Sequence, residues 1–353
     1  MSPESEYKYP KPEDDKEGYE DWYDQRSIEI KCFTEDEAKK EKNEPRKEKG
    51  EGKPKKEETK TDIGKVAALN YYGGDSSKYS EFYAGERENH DSLAVFEDEK
   101  YVYMTVIDGM GGHENAEQFS KKLTEELKEK LQSEKDFNFS LEDVYAETQK
   151  EMGDFSSDKA GAVATTVMID KETKNAEIIN LGDSRGAVIG QDGSVKAASE
   201  IQTTAATYFK QRNDRDNFNA FTSEFFDFLS EVPLTNDRVK ESFMSSGGTM
   251  NINPDISRVE VGENDFIILG SDGIINEALT INEVAKEVKE NPDQSAAELR
   301  EALYDKMRDK LDKANKDGVE TITTIDENGE PMEISSLWAR KADNMSLIVA
   351  KID

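Results

Sequence analysis

The 353 residues carry 78 acidic against 47 basic side chains, a formal net charge of −31, and the first 60 hold only a small share of it, with 15 basic and 19 acidic residues. A body that acidic repels nucleic-acid backbone and anionic membrane, so neither is expected as a partner, while an exposed basic segment of another protein is attracted. The single cysteine, Cys32, rules out a disulfide framework and a thiol-held metal.

The length allows one large domain or two small ones, with ample core. Residues 1–60, dominated by Lys, Glu, Asp and Pro, bury too little apolar surface to offset their ordering entropy and are expected to be a mostly disordered charged tail. An aromatic and aliphatic island, Trp22, Tyr23, Ile28, Ile30 and Phe33, interrupts it. The N-terminus is polar, and no stretch approaches the roughly 18 apolar residues that span a bilayer. The expectation is therefore a cytoplasmic protein, or one exported without a readable N-terminal signal, and a monomer.

Folding is expected over 61–353, beginning with a strand near Val66–Tyr72 that ends in Gly73-Gly74-Asp75. Ser92–Phe96 and Tyr101–Ile107 read as a hairpin. Phe119, Leu123, Leu127 and Leu131 recur every four residues, predicting a helix with one apolar stripe, and a second helix runs from a Ser140 cap to Met152. Segments 163–169, 176–181 and 186–190 read as strands, with Gln191-Asp192-Gly193 turning into another. Residues 205–245, crowded with phenylalanines, read as a helical insertion or lid. Helices follow over 281–290 and 295–314, then a hairpin around Asp326-Glu327-Asn328-Gly329. Consecutive strands with short turns favour antiparallel pairing, with helices covering the sheets.

Three apolar strands meet an acid at one end. Tyr101–Ile107 stops at Asp108, followed by Gly109-Met110-Gly111-Gly112-His113. Phe266–Leu269 leads into Gly270-Ser271-Asp272-Gly273, and Asp343-Asn344 precedes Met345–Ala350. A short strand–Asp–Gly run is equally consistent with a helix cap and with a site. Three such carboxylates without a Cys or His cluster suit hard, oxygen-seeking cations such as Mg2+ or Mn2+. Gathered together they would repel one another and resist ionising unless a cation neutralised them.

With these runs in view the chain resembles the metal-dependent protein phosphatases of the PPM family, the 2C type, and is closer to their bacterial branch. Six stretches match in family order: Arg87-Glu88-Asn89-His90-Asp91, Asp108–His113, Ala164-Thr165-Thr166, Leu181-Gly182-Asp183-Ser184-Arg185, Ser271-Asp272-Gly273 and Asp343-Asn344. The resemblance implies an α+β fold, a four-layer α/β/β/α sandwich of two antiparallel sheets flanked by helices. It implies hydrolysis of phosphoserine or phosphothreonine in a phosphorylated protein by a water held between two Mn2+ or Mg2+ ions, with a third ion in some bacterial members. Asp108 would bridge the ions, the Gly109 carbonyl would bind one, and Asp272 and Asp343 the other. Asp91 would ligate the first ion or orient its waters, and Arg87 would bind the phosphate. Asp158 is a candidate for the third ion, and Asp183 is expected to brace the strand ends with Arg185.

The sequence departs from the family at three of these places. His90 stands where the family has Glu, so an imidazole would have to coordinate in its stead. Glu86 stands where the family has its phosphate-binding Arg, and Arg87 reaches that place only with a shift of one residue. Met110 replaces a His that eukaryotic members offer as an acid. A phosphatase fold that binds phosphoprotein without turnover, and a hydrolase of another protein-linked phosphoester, are the other readings these departures keep open.

Overall fold

The computed structural model describes residues 54–71, 89–109, 116–133, 140–152, 161–202, 243–244, 254–275, 279–317, 321–325, 331–335 and 344–353. In chain order the first half runs β1 (Lys55–Thr61), β2 (Gly64–Tyr71), β3 (Ser92–Glu97), β4 (Tyr101–Gly109), α1 (Ala116–Ser133), α2 (Leu141–Met152), β5 (Gly161–Asp170) and β6 (Asn175–Leu181). The second half runs β7 (Arg185–Ile189), β8 (Val195–Ala198), β9 (Phe243–Met244), β10 (Asp255–Glu260), β11 (Phe266–Gly270), α3 (Ile281–Glu290), α4 (Ala296–Asp317), β12 (Thr321–Ile325), β13 (Pro331–Ser335) and β14 (Met345–Ile352).

Two antiparallel sheets result, with strand orders β1-β2-β14-β11-β7-β8 and β10-β6-β5-β4-β3, and β9 pairs the start of β5. Three apolar layers explain why the central strands read as continuous hydrophobic runs, since both faces of each are covered. Between the sheets lie Val102, Met104, Val106, Val167, Ile267, Leu269 and Ile348. On the outer face of the second sheet, Tyr103, Ile107, Ala162 and Ala164 meet Phe119, Leu123, Leu127 and Leu131 of α1. On the outer face of the first, Leu69, Phe266, Ile268, Leu347 and Val349 meet Val284, Val288, Leu299 and Leu303 of α3 and α4. Each fully buried side chain of the α1 stripe contributes about 2 kcal/mol.

Helix starts follow their caps. The Asp143 N–H donates to Ser140 Oγ at 3.1 Å, as expected of that serine. Thr280 and Glu283 form a reciprocal capping box at α3. Ser295 and Glu298 repeat it at α4, with Ser295 N–H to Glu298 Oε2 at 2.7 Å and Glu298 N–H to Ser295 Oγ at 3.3 Å.

The expected tail boundary at residue 60 needs correction, because residues 55–60 belong to β1. Their side chains are exposed, which is why composition disguised them, yet the strand pairs residue for residue with β2 from Lys55↔Asn70 to Thr61↔Gly64. Arg300 of α4, 5 % exposed, holds it from behind. Its Nη1 donates to the carbonyls of Glu57 at 3.0 Å and Ala68 at 3.1 Å. β10 is a second strand that the sequence reading passed over; it pairs with β6 from Asp255↔Asn180 to Glu260↔Asn175. The helical expectation for 205–245 does not hold at Phe243–Met244, which form β9. The remainder of that segment and the Trp22–Phe33 island lie outside the described residues.

Candidate metal centre

The acids of the site are delivered by strand ends at one end of the gap between the sheets. β4 alternates, with Val102, Met104 and Val106 facing the gap and Tyr103 and Ile107 facing α1, so Asp108 falls on the gap side. β3 pairs with β4 from Ser92↔Ile107 to Glu97↔Val102. Continued by one step, this register sets Asp91 opposite Asp108 and His90 opposite Gly109, and the Gly109 N–H donates to the His90 carbonyl at 3.1 Å. Asp91 is buried, at 2 % exposure.

Gly109 is required by this close approach. A Cβ there would lie 2.6 Å from the His90 oxygen and 2.8 Å from the Ala116 oxygen, both backbone atoms unable to swing aside. The crowding comes from residue 90 and from the first residue of α1, a reason for glycine that is independent of any role of its carbonyl.

Asp272 is placed by the pairing of β11 with β14, which continues past Gly270↔Leu347. The Ser271 N–H donates to the Ser346 carbonyl at 2.9 Å, and the Ser346 N–H donates to Ser271 Oγ at 2.9 Å. Asp183 sits in the β6–β7 turn, where Gly182 has φ +115° and no room for a Cβ beside Val163. That turn is held by Gln202, whose Oε1 accepts the Gly182 N–H at 2.7 Å and whose N–H donates to the Gly182 carbonyl at 3.0 Å. Asn180, fully buried, adds Nδ2 bonds to the carbonyls of Gly182 at 2.9 Å and Glu200 at 2.8 Å.

Asp108, Asp183 and Asp272 each offer a carboxylate oxygen, and these three atoms lie within 4.8 Å of one another. Two unit charges at 4.8 Å repel by roughly 3–4 kcal/mol at an effective dielectric of about 20. Three carboxylates so placed are compatible when a divalent cation lies among them, and the all-oxygen donor set suits Mg2+ or Mn2+. The sequence reading named Asp108 and Asp272 for this purpose. It assigned Asp183 to bracing; there the glycine precedes the acid, whereas it follows Asp108 and Asp272. Arg185 of that turn sends its Nε to the Ser199 carbonyl at 3.1 Å.

His90 enters this arrangement through its peptide, whose N–H donates to Asn344 Oδ1 at 2.8 Å. Arg87, Glu86, Met110, His113, Asp158 and Asp343 lie outside the described residues.

Two antiparallel sheets flanked by helices, with acids converging at one end of the sandwich, define an α+β fold with a carboxylate cluster. The Protein phosphatase 2C family model matches residues 74–212. That match spans about two fifths of the chain, and over it the chain is similar to the protein phosphatase 2C family. Among solved structures, serine/threonine phosphatase Stp1 from Staphylococcus aureus is 16% identical, with a TM-score of 0.57 covering 86% of this chain and 99% of that one. The serine/threonine phosphatase of S. agalactiae is also 16% identical, with a TM-score of 0.56 over 82% of this chain and 99% of that chain. The Mycobacterium tuberculosis phosphatase PstP/Ppp is 15% identical, with a TM-score of 0.53 over 82% and 99%. At such identities the likeness is one of fold. Comparison with curated proteins finds no match.

Proposed function

We propose that this chain is a metal-dependent protein phosphatase that removes phosphate from phosphoserine and phosphothreonine, with a centre of the bacterial 2C type. The observation that carries the reading is the convergence of Asp108, Asp183 and Asp272, within 4.8 Å, in a chain whose residues 74–212 match that family's model. Two Mn2+ or Mg2+ ions held there, and a third if Asp158 reaches, would supply Lewis acidity that activates water and offsets phosphoryl charge.

The chain's own residues have distinct tasks. Asp108 is the proposed bridge; the Gly109 carbonyl would serve one ion, and Asp272 and Asp343 the other. Asp91, opposite Asp108 in the register, and His90 complete the proposed set. Asp183 is added to it on the strength of the geometry. Arg87 is proposed to bind the phosphate in a planar, bidentate manner suited to guanidinium. No thiol stands in any matched stretch, so covalent cysteine chemistry is not the route.

The acidic body is proposed to favour substrates whose phosphorylated segment is flanked by basic residues. Among the described residues no helix is long and apolar enough to cross a membrane. The proposed location is the cytoplasm, with the protein acting as a monomer.

The test is hydrolysis of an aryl phosphate with and without added Mn2+, followed by release of phosphate from a phosphothreonine peptide. Metal-dependent turnover on both supports the reading. Binding of the phosphopeptide with no turnover at saturating Mn2+ would overturn it in favour of a recognition module.

A further inference from the structure

The two sheets are tied together at the acidic end through a backbone peptide. The His90 N–H donates to Asn344 Oδ1 at 2.8 Å, and the His90 carbonyl accepts the Gly109 N–H at 3.1 Å. Asn344 leads into β14 of the first sheet and is 9 % exposed, whereas His90 leads into β3 and Gly109 ends β4 of the second. Asn89 makes a parallel tie, its Nδ2 donating to Asn70 Oδ1 on β2 while its Oδ1 accepts the Asp91 N–H at 3.0 Å. Each segment so joined carries an acid at the neighbouring position: Asp343 beside Asn344, Asp91 beside His90, and Asp108 beside Gly109.

We propose that Asn344 is a positioning residue for the metal centre, fixing the His90 peptide and through it Gly109, so that acids from opposite sheets are held at the spacing a divalent cation needs. This rests on the metal-centre reading above. The argument is one of geometry under repulsion. Acids that repel one another spread when no cation is present, and spreading here means the sheets part at this end. A neutral amide oxygen placed on the His90 N–H resists that motion without adding a further negative charge. Nothing in the bond touches substrate, so its loss should appear first in cation affinity and afterwards in rate.

The experiment is calorimetric titration of the metal-free full chain with Mn2+, for the wild type, Asn344→Ala and Asn344→Asp, alongside aryl-phosphate kinetics. Asn344→Ala is expected to weaken Mn2+ binding about tenfold and raise the Mn2+ concentration for half activity in step. Its kcat at saturating Mn2+ should stay within about threefold of wild type. Asn344→Asp, which keeps an acceptor at the same place, should recover most of the affinity when titrated at high ionic strength, which screens its added charge. Asn344→Ser, whose hydroxyl falls short of His90, replaces the alanine variant if that one does not fold. Unchanged Mn2+ affinity in the truncated side chain, or no recovery in Asn344→Asp, overturns the positioning role. Failure of the wild type itself to bind Mn2+ overturns the underlying metal-centre reading instead.

Discussion

Deleting the tail at two places separates what composition suggests from what the fold requires. Removal of residues 1–53 leaves β1 whole, whereas removal of 1–60 takes away all of it except Thr61. The apolar loss in the longer deletion is small, because the side chains of residues 55–60 are exposed. The polar losses are more serious. Arg300 Nη1 loses the Glu57 carbonyl from a nearly buried guanidinium, costing on the order of 1–2 kcal/mol. Lys56 leaves both its ion pair with Glu301 and its place 5.4 Å from the Tyr304 ring centre, each worth about 0.5 kcal/mol at such exposure. The net penalty is about 2 kcal/mol, a fall in Tm of roughly 4 °C for a chain of this size. The stripped edge of β2 also becomes a template for intermolecular pairing. Thermal unfolding followed by circular dichroism should show the 1–53 deletion matching the full chain and the 1–60 deletion several degrees lower, with more aggregation on heating. Turnover per folded molecule should be the same for both. Equal melting of the two deletions would refute the account of β1.

Asp108→Asn is expected to abolish hydrolysis and weaken Mn2+ binding while leaving the metal-free protein at least as stable, since it relieves repulsion within the acidic group; near-normal turnover at saturating Mn2+ would remove Asp108 from the centre. Gly109→Ala forces a methyl against two backbone oxygens, and overpacking of that kind costs about 1–3 kcal/mol, read as a lower Tm together with weaker Mn2+ binding. Asp183→Asn distinguishes a ligand from a brace: a tenfold loss of Mn2+ affinity with unchanged Tm supports a ligand, and a drop in Tm with unchanged affinity supports a brace. Arg87→Ala should mainly raise KM, with about 2–4 kcal/mol lost in kcat/KM, and Arg87→Lys should recover only part; kinetics like the wild type would take Arg87 out of the phosphate site.

Much of the fold was legible because periodicity and burial agree. The α1 stripe from Phe119 to Leu131, the β3–β4 hairpin and the Ser140 cap each carry a local signal that the tertiary structure reuses. β1 was illegible for a physical reason: it is an edge strand whose outward side chains are Lys, Glu and Thr, and its partners are the backbone of β2 and a guanidinium 243 residues away. β10 is similar, a strand of mixed polarity whose register depends on β6. Neither contact has a signature within its own segment.

The site divides along the same line. Asp108 and Asp272 could be read from sequence because an apolar strand followed by Asp-Gly is a local pattern. Membership of Asp183 could not, because its distance to the other two depends on how β6 and β7 lie in different sheets, β6 beside β5 and β7 beside β11. The β6–β7 turn therefore crosses the gap between the layers, and an acid at its apex arrives where the strand-end acids of both sheets already point. Bringing like charges together at that place works against packing, and the neighbouring structure offsets it with neutral hydrogen bonds: Asn344 on the His90 peptide, Asn89 on Asp91, Gln202 and Asn180 on Gly182. Amides suit this role because they bond to backbone without altering the charge of the group they surround. The chain thus sets its acids at a spacing that favours a cation, and uses uncharged side chains to keep it.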